Sequence, residues 1–145
     1  MNLERHVDFA RSLFREANDA FLVFNPGDHR ILDVNPAALR LTGFDRKDAL
    51  KMRLQDLFQS NDPDGMRRLF DAIEETRFFH SREEYALACQ DGGLRWVNIS
   101  VSRIHTKPTP LGLVVARDVT ERRKAQMVLD QFFRHSPAVV RDPVS

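Results

Sequence analysis

Two neighbouring stretches decide the fold of this chain: DGGLRWVNIS at residues 91–100 and GLVVARDVTERR at residues 112–123. The first opens on a turn signal and continues with residues that alternate between apolar and polar, which is typical of a strand. The second is an apolar strand that changes within a few residues into a charged segment with helical spacing. A strand that leads directly into a helix suits a module that passes a signal along its own chain.

The strand around residue 98 has two different faces. Polar side chains lie on one face and Val97, Ile99 and Val101 on the other. We expect the polar face to point toward the helices, with Asn98 in the interior. There, an unpaired amide would cost about 1–3 kcal/mol, so a bound ligand, an ordered water or neighbouring backbone would have to pair with it.

Turn signals separate the strands of this C-terminal half. Asp91-Gly92 predicts a two-residue hairpin in which both central residues have positive φ. It joins a strand over 83–89 to the strand over 95–104, and a proline-containing loop at 107–110 leads to the last strand, over 111–119.

The N-terminal half combines helices with a first hairpin. Asn35-Pro36 predicts a helix start, because Asn caps well and proline suits the first helical position; Gly43 predicts its end. The pattern predicts a helix over 2–18, strands over 21–24 and 30–34, a short helix capped by Asp45, a turn at 62–65 and a longer helix to residue 77.

The order of elements gives the fold class. Two strands, several helices, three strands and a final helix predict an α+β domain with a five-stranded antiparallel sheet and helices on one face. We expect an N-terminal flanking helix over 1–18, a core over 19–119 and a C-terminal helix or linker over 120–134.

Composition narrows the class of protein. The chain has 22 basic and 21 acidic residues, interspersed, and a net charge of +1, which favours neither nucleic acid nor a membrane surface as a partner. Hydrophobic residues make up 42%, enough for a core, and the N-terminus has no secretory pattern. The single cysteine, Cys89, suits a reducing compartment, so we expect a cytoplasmic location.

The chain resembles the PAS domains of bacterial signalling proteins over about residues 10 to 125. The resemblance rests on FREANDA at 14–20, VNPAA at 34–38, LTGF at 41–44, the Asp91-Gly92 hairpin and DVTER at 118–122. It implies a PAS fold that senses a signal or dimerises. In this family the Asp–Thr pair, here Asp118 and Thr120, ties the last strand to the output helix. We expect Thr120 also to cap that helix and Asp118 to pair with a base such as Arg122.

A similar stretch of sequence that occurs twice in the chain extends the resemblance. The stretch LFREANDA at 13–20 returns as FFRHSPAV at 132–139, and many PAS domains begin with a similar sequence. We expect residues 135–145 to begin a second PAS repeat, with a chance match beside a helix end as the alternative. The same reading explains His135 better than a kinase phosphoacceptor does, because the acidic residue that usually follows such a histidine is missing.

The resemblance also implies a ligand pocket between the sheet and the helices. The candidate residues are Asn98, Trp96, Leu57, Phe70, Ile73, Ala88 and Ala116, with ordinary core packing as the alternative for the apolar ones. Ala88, Asn98 and Ala116 fall at the positions that contact flavin in light-sensing relatives, and only Asn98 is polar. The segment 53–58 lacks the cysteine that forms the flavin adduct, which argues against that photocycle.

The sequence gives little support for a haem-binding site or another metal site. The helix that carries the haem ligand in haem-PAS sensors has no histidine here, and His80 lies just beyond it. The remaining histidines have no metal-ligand spacing. We therefore expect no metal and no resident cofactor, with a small-molecule ligand possible in principle.

The remaining expectations concern assembly and function. Val97, Ile99 and Val101 would form an exposed apolar patch unless the N-terminal helix covered them, so Val7, Ala10, Phe14 and Ala17 are the candidates for a lid and a homodimer interface. No catalytic constellation is present, and we expect a non-enzymatic module that relays ligand- or packing-dependent changes to an output domain downstream, such as a histidine kinase. The alternatives are a ligand-free dimerisation scaffold and, less favoured, a haem or flavin sensor.

Overall fold

The computed structural model describes residues 3–75, 78–81, 84–105 and 107–134, with the side chains of residues 3–7 left out. The helices are α1 Leu3–Glu16, α2 Pro36–Thr42, α3 Arg46–Ala49, α4 Leu54–Leu57, α5 Gly65–Glu74 and α6 Thr120–Arg134. The strands are β1 Ala20–Phe24, β2 Ile31–Val34, β3 Phe58–Gln59, β4 Phe79–His80, β5 Tyr85–Ala88, β6 Leu94–Ile104 and β7 Leu111–Asp118. The expected second repeat at 135–145 lies outside the described residues.

All strands belong to one antiparallel sheet. Its order is β2-β1-β7-β6-β5-β3, and β4 pairs with β6 outside that order. The α+β class is confirmed, but the sheet has seven strands among the described residues rather than the expected five. The two additional strands, β3 and β4, have two residues each, too few to show an alternating pattern.

The inner face of the sheet packs against α2 to α5. Val97 and Ile99 are 0% exposed and Val101 is 2% exposed. They belong to the same apolar cluster as side chains of the four helices, among them Ala38, Ala49, Leu54, Leu57, Leu69 and Ile73. The core therefore lies between the sheet and these helices.

The expected orientation of β6 was wrong. Val97, Ile99 and Val101 face the helices, so Trp96 and Asn98 lie on the outer face, where both are half-buried. Side chains alternate along a strand, so an error of one residue exchanges the two faces completely. Here the apolar side faces the core because the helices present an apolar surface to it.

The β5–β6 hairpin also differs from expectation. Cys89 N donates to Gly93 O at 3.0 Å and Gly92 N donates to Cys89 O at 3.0 Å, which encloses a three-residue loop. Only Gly92 has positive φ, at 86°, and Asp91 does not. The Asp91 carboxylate accepts a hydrogen bond from Gly93 N at 2.8 Å and holds this alternative turn.

The predicted start and end of α2 and the predicted start of α3 are confirmed. The Asn35 side chain accepts a hydrogen bond from Ala38 N, Pro36 is the first helical residue, and Gly43 ends the helix with φ at 76°. The Asp45 side chain caps α3 by accepting from Asp48 N.

Helix α1 and the first turn of α6 pack at the outer side of the sheet. Phe14 of α1 contacts Phe21 of β1 edge to face, with ring centroids 6.0 Å apart. Because Val97, Ile99 and Val101 face the other way, α1 is not the lid that we expected over them. Helix α6 follows β7 and presents exposed apolar side chains to solvent: Met127, Val128, Leu129, Phe132 and Phe133.

Candidate functional site

A network of hydrogen bonds joins the end of β7 to the start of α6. The Thr120 hydroxyl accepts from Trp96 N at 2.9 Å and donates to Asp118 Oδ1 at 2.6 Å. The same carboxylate oxygen accepts from Thr120 N at 2.9 Å, and Val119 N donates to Trp96 O at 2.7 Å. Sequence reasoning named Asp118 and Thr120 for coupling, and the structure brings them together on the backbone of β6.

Two details of this junction differ from expectation. The Thr120 hydroxyl does not cap α6, because it is bonded to the neighbouring strand and to Asp118. The second oxygen of Asp118 lies 3.9 Å from Arg95 Nη1 rather than beside Arg122, whose guanidinium lies 3.7 Å from Glu84. The pairing of β6 with β7 brings Arg95 close to Asp118, and no pattern in the sequence predicts this contact.

A second polar hub joins the N-terminal elements. Asn35 is 0% exposed, and its Oδ1 accepts from Phe21 N at 2.9 Å and Ala38 N at 3.0 Å. Its Nδ2 donates to Phe14 O at 2.9 Å and Asp19 O at 3.0 Å. The amide thereby binds α1, β1 and α2 with both of its ends. The sequence identified the helix cap, but the bonds to residues 14–21 depend on the fold.

The seven ligand-pocket candidates do not line one cavity. Leu57, Ile73 and Ala116 are in the core at 2%, 0% and 0% exposure, whereas Trp96 and Asn98 lie on the opposite face of the sheet. Phe70 is half-buried beside His29, with ring centroids 5.9 Å apart. Ala88 is half-buried at the end of β5. The Asn98 side chain makes no hydrogen bond within the part of the chain that the structure describes.

The interior under the helices is densely packed. A small cavity lined by Leu22, Leu57 and their neighbours measures about 10 Å³, roughly the size of one water molecule. The ring of the fully buried Phe24 lies directly over Gly112 of β7, where an added Cβ would come within 2.1 Å of the ring. Phe24 therefore fills the inner face at that point.

Larger concave regions lie open at the surface. A cleft of about 260 Å³ beside the output junction is lined by Arg40, Arg95, Ala116 and Asp118. A groove of about 870 Å³ between α1 and the β1–β2 hairpin is lined by Phe14, Val23 and Arg46 among others. Both are exposed to solvent.

Cys89 and the histidines are dispersed. Cys89 Sγ donates to Leu41 O at 3.5 Å, and burial, followed by the nearby Asp91 carboxylate, raises the pKa of the thiol. His80 contacts Ser100 at 2.8 Å and His29 lies 3.9 Å from Glu74. Among the described residues, no three His, Cys, Asp or Glu side chains are grouped so as to hold a metal ion.

The interface candidates on α1 differ in exposure. Ala10 is exposed, Phe14 and Ala17 are half-buried, and the Val7 side chain lies outside the description. Phe9 and Leu13, which we did not select, are 66% and 56% exposed. Within the described part of the chain, none of the helices has the length and apolar character needed to cross a membrane.

Comparison with known proteins gives consistent matches. A sequence model of the PAS domain family matches residues 18–121. The chain is 28% identical over 118 residues to the sensor histidine kinase TmoS of Ectopseudomonas mendocina, a match that covers 80% of this chain and 12% of that protein. The chain therefore spans only a small part of this curated relative.

Solved structures give the same result for the fold. A domain of the sensory box sensor histidine kinase/response regulator from Geobacter sulfurreducens superposes with a TM-score of 0.66 at 26% identity, over 81% of this chain and 97% of that one. An RNA-binding light-oxygen-voltage receptor superposes with a TM-score of 0.76 at 22% identity, over 91% of this chain and 38% of that one. The second likeness concerns the fold alone.

Proposed function

The chain belongs to the PAS domain family, and from that premise we propose that it is the sensory module of a larger bacterial signalling protein, such as a sensor histidine kinase. In this proposal the module has no catalytic activity of its own. It relays changes in the packing of its sheet to α6, and α6 passes them to an output domain of a two-component system. The sensor histidine kinase relatives support the sensory role and the downstream output domain.

The observation that carries the proposal is the junction of Asp118, Thr120 and Trp96. Four hydrogen bonds between 2.6 and 2.9 Å hold this junction: two join Thr120 to the Asp118 carboxylate, and two join Val119 and Thr120 to the backbone of Trp96 in β6. A displacement of β6 or β7 would therefore change the position of α6. Such a relay works by shifting the populations of two packings, so a ligand acts only if it binds one of them better.

The dense interior favours a packing signal over a resident cofactor. The cavity of about 10 Å³ beside Leu22 and Leu57 has room for about one water molecule, and Phe24 occupies the inner face beside Gly112. A flavin or a haem does not fit there. A ligand-free dimerisation scaffold is the second candidate function, and the same packing favours it.

We place the module in a homodimer in the cytoplasm. Exposed apolar side chains on both flanking helices support pairing, namely Phe9 and Leu13 on α1 and Val128, Leu129 and Phe132 on α6. Burial of such side chains against a second copy would be favourable. The lone thiol of Cys89 suits a reducing compartment.

Native mass spectrometry of the 145-residue chain, beside a denatured control, tests the proposal. A dimer of protein mass alone is the result that we expect. A dimer with additional non-covalent mass would show a bound ligand and replace the packing signal with ligand sensing. A monomer at micromolar concentrations would contradict the pairing of the flanking helices.

A further inference from the structure

Arg123, in the first turn of α6, lies between an aromatic ring and a carboxylate. Its guanidinium carbon is 3.8 Å from the centroid of the Trp96 ring, and its Nη1 lies 2.9 Å from Glu84 Oε2. A guanidinium over an indole face is attracted by the ring and packs flat against it. One residue of α6 is therefore held by a side chain of β6 and by Glu84, which directly precedes β5.

These contacts are separate from the junction at Thr120. Thr120 and Val119 bind the backbone of Trp96, whereas Arg123 binds its ring. The Thr120 junction joins α6 to β6 and β7, and the Arg123 contacts join it to β6 and to the start of β5. Helix α6 thus has two distinct attachments to the sheet, one through the backbone of Trp96 and one through its ring.

The neighbouring arginine provides an internal comparison. Arg122 Nη2 lies 3.7 Å from the other oxygen of Glu84, and the Arg122 side chain is 68% exposed. The side chain of Arg123 is 32% exposed and that of Glu84 is 21% exposed. Solvent screens the Arg122 pair more strongly, so the Arg123 pair contributes more to holding α6.

One atom of this arrangement is left unsatisfied. Arg123 Nε is buried and donates to no acceptor in the described part of the chain. A buried unpaired N–H opposes the closed arrangement, so the attachment is weaker than its ring and ion-pair contacts alone imply. An attachment of this kind can open without unfolding of the core.

We propose that Glu84, Trp96 and Arg123 form a clamp that positions α6, and that the clamp gives this helix a second input, from β5. A shift of the segment that carries Glu84 opens the clamp and frees the first turn of α6. The three are positioning residues. The inference rests on the proposed function, in which α6 is the output element, but the clamp can be tested without it.

Trp96 is the only tryptophan in the chain, so its fluorescence reports on the clamp directly. We expect Arg123→Ala to raise the acrylamide quenching constant of Trp96 by about twofold, because the guanidinium no longer covers the ring. Glu84→Gln removes the ion pair and gives a smaller rise in the same direction. Arg122→Ala is the matched control and leaves the quenching constant unchanged.

Hydrogen exchange of the α6 amides supplies the second measurement. Arg123→Ala should speed exchange in the first two turns of α6 while the thermal unfolding of the domain stays within a few degrees of the wild type. Arg123→Lys keeps the charge but not the planar group, so it should restore protection only in part. If Arg123→Ala does not fold, Glu84→Gln and Arg123→Lys decide the question with the same two measurements.

The outcomes separate the clamp from the proposed relay. Unchanged quenching and exchange in Arg123→Ala, or equal effects of Arg122→Ala and Arg123→Ala, would overturn the clamp. If Thr120→Val leaves α6 unaffected while Arg123→Ala frees it, the relay through Thr120 fails and the clamp stands.

Discussion

The two polar junctions of the molecule differ in how they hold the helices to the sheet. At the N-terminal end Asn35 is completely buried and makes four hydrogen bonds, all to backbone atoms of Phe14, Asp19, Phe21 and Ala38. At the C-terminal end Thr120 is buried, but its partner Asp118 has a side chain that is 39% exposed. One junction is neutral and enclosed, and the other is charged and reaches solvent.

This difference assigns different roles to the two ends. A buried amide with every hydrogen bond made has no alternative partner, so α1, β1 and α2 move as a unit. The Asp118 carboxylate has one oxygen in the junction and the other 3.9 Å from Arg95, a distance at which solvent competes. The C-terminal junction can therefore exchange partners, which is what a relay requires.

The largest effect is expected at the enclosed junction. Because each buried backbone group left unpaired costs about 1–3 kcal/mol, Asn35→Ala should lower the free energy of unfolding by about 3 kcal/mol. Urea denaturation followed by circular dichroism measures this. Asn25→Ala is the matched control, since among the described residues the Asn25 side chain accepts a single hydrogen bond, from Gly27 N in an exposed turn. A loss of less than 1 kcal/mol in Asn35→Ala would remove the contrast between the junctions.

A smaller effect is expected from Thr120→Val. The valine keeps the shape but leaves Trp96 N without its acceptor, so the free energy of unfolding should fall by about 1–2 kcal/mol. The rate of backbone amide hydrogen exchange should rise in α6 and not in α2. Thr42→Val removes another buried hydroxyl, which donates to Ala38 O at 2.9 Å, and should leave α6 unchanged. Equal protection of the α6 amides from exchange in Thr120→Val and Thr42→Val would show that Thr120 contributes to stability but does not position α6.

The smallest effect concerns Cys89, whose Sγ contacts the end of α2. Burial raises the pKa of the thiol, so less thiolate is present at a given pH and the reaction curve shifts to higher pH. At about pH 8 we expect a disulfide reagent to modify the folded chain more slowly than the unfolded chain. Asn35→Ala should speed the reaction by loosening α2, and Thr120→Val should not. An unchanged rate in Asn35→Ala, or an equal rise in Thr120→Val, would contradict the contrast between the two junctions.

Most of the element order was predictable because the local signals are strong. The Asn35-Pro36 start and the Gly43 end of α2 follow from capping chemistry that acts within a few residues. The strands β1, β2, β5, β6 and β7 were expected from apolar or alternating runs bounded by turn residues. The two-residue strands β3 and β4 were missed because pairing with β5 and β6 defines them.

The candidate site was predictable only in part. Asp118 and Thr120 could be named because they are close in sequence and resemble a family motif. Arg95, Glu84 and Arg123 could not be identified as partners, since Glu84 and Arg123 are 39 residues apart and meet only in the folded sheet. The resemblance and the apolar helix positions suggested the pocket candidates, and Asn98 was expected to point inward, whereas the structure places it on the outer face.

Local chemistry was therefore sufficient for every described helix except the four-residue α4, for the longer strands and for the abrupt change from β7 to α6, because caps, turns and periodicity act over a few residues. The tertiary structure alone decided which face of β6 is buried. Alternation separates Val97 from Asn98, but the apolar surface of α2 to α5 determines which of the two is covered. It also decided that Asn35 and Arg123 each join several elements, since such contacts exist only after distant segments have packed together.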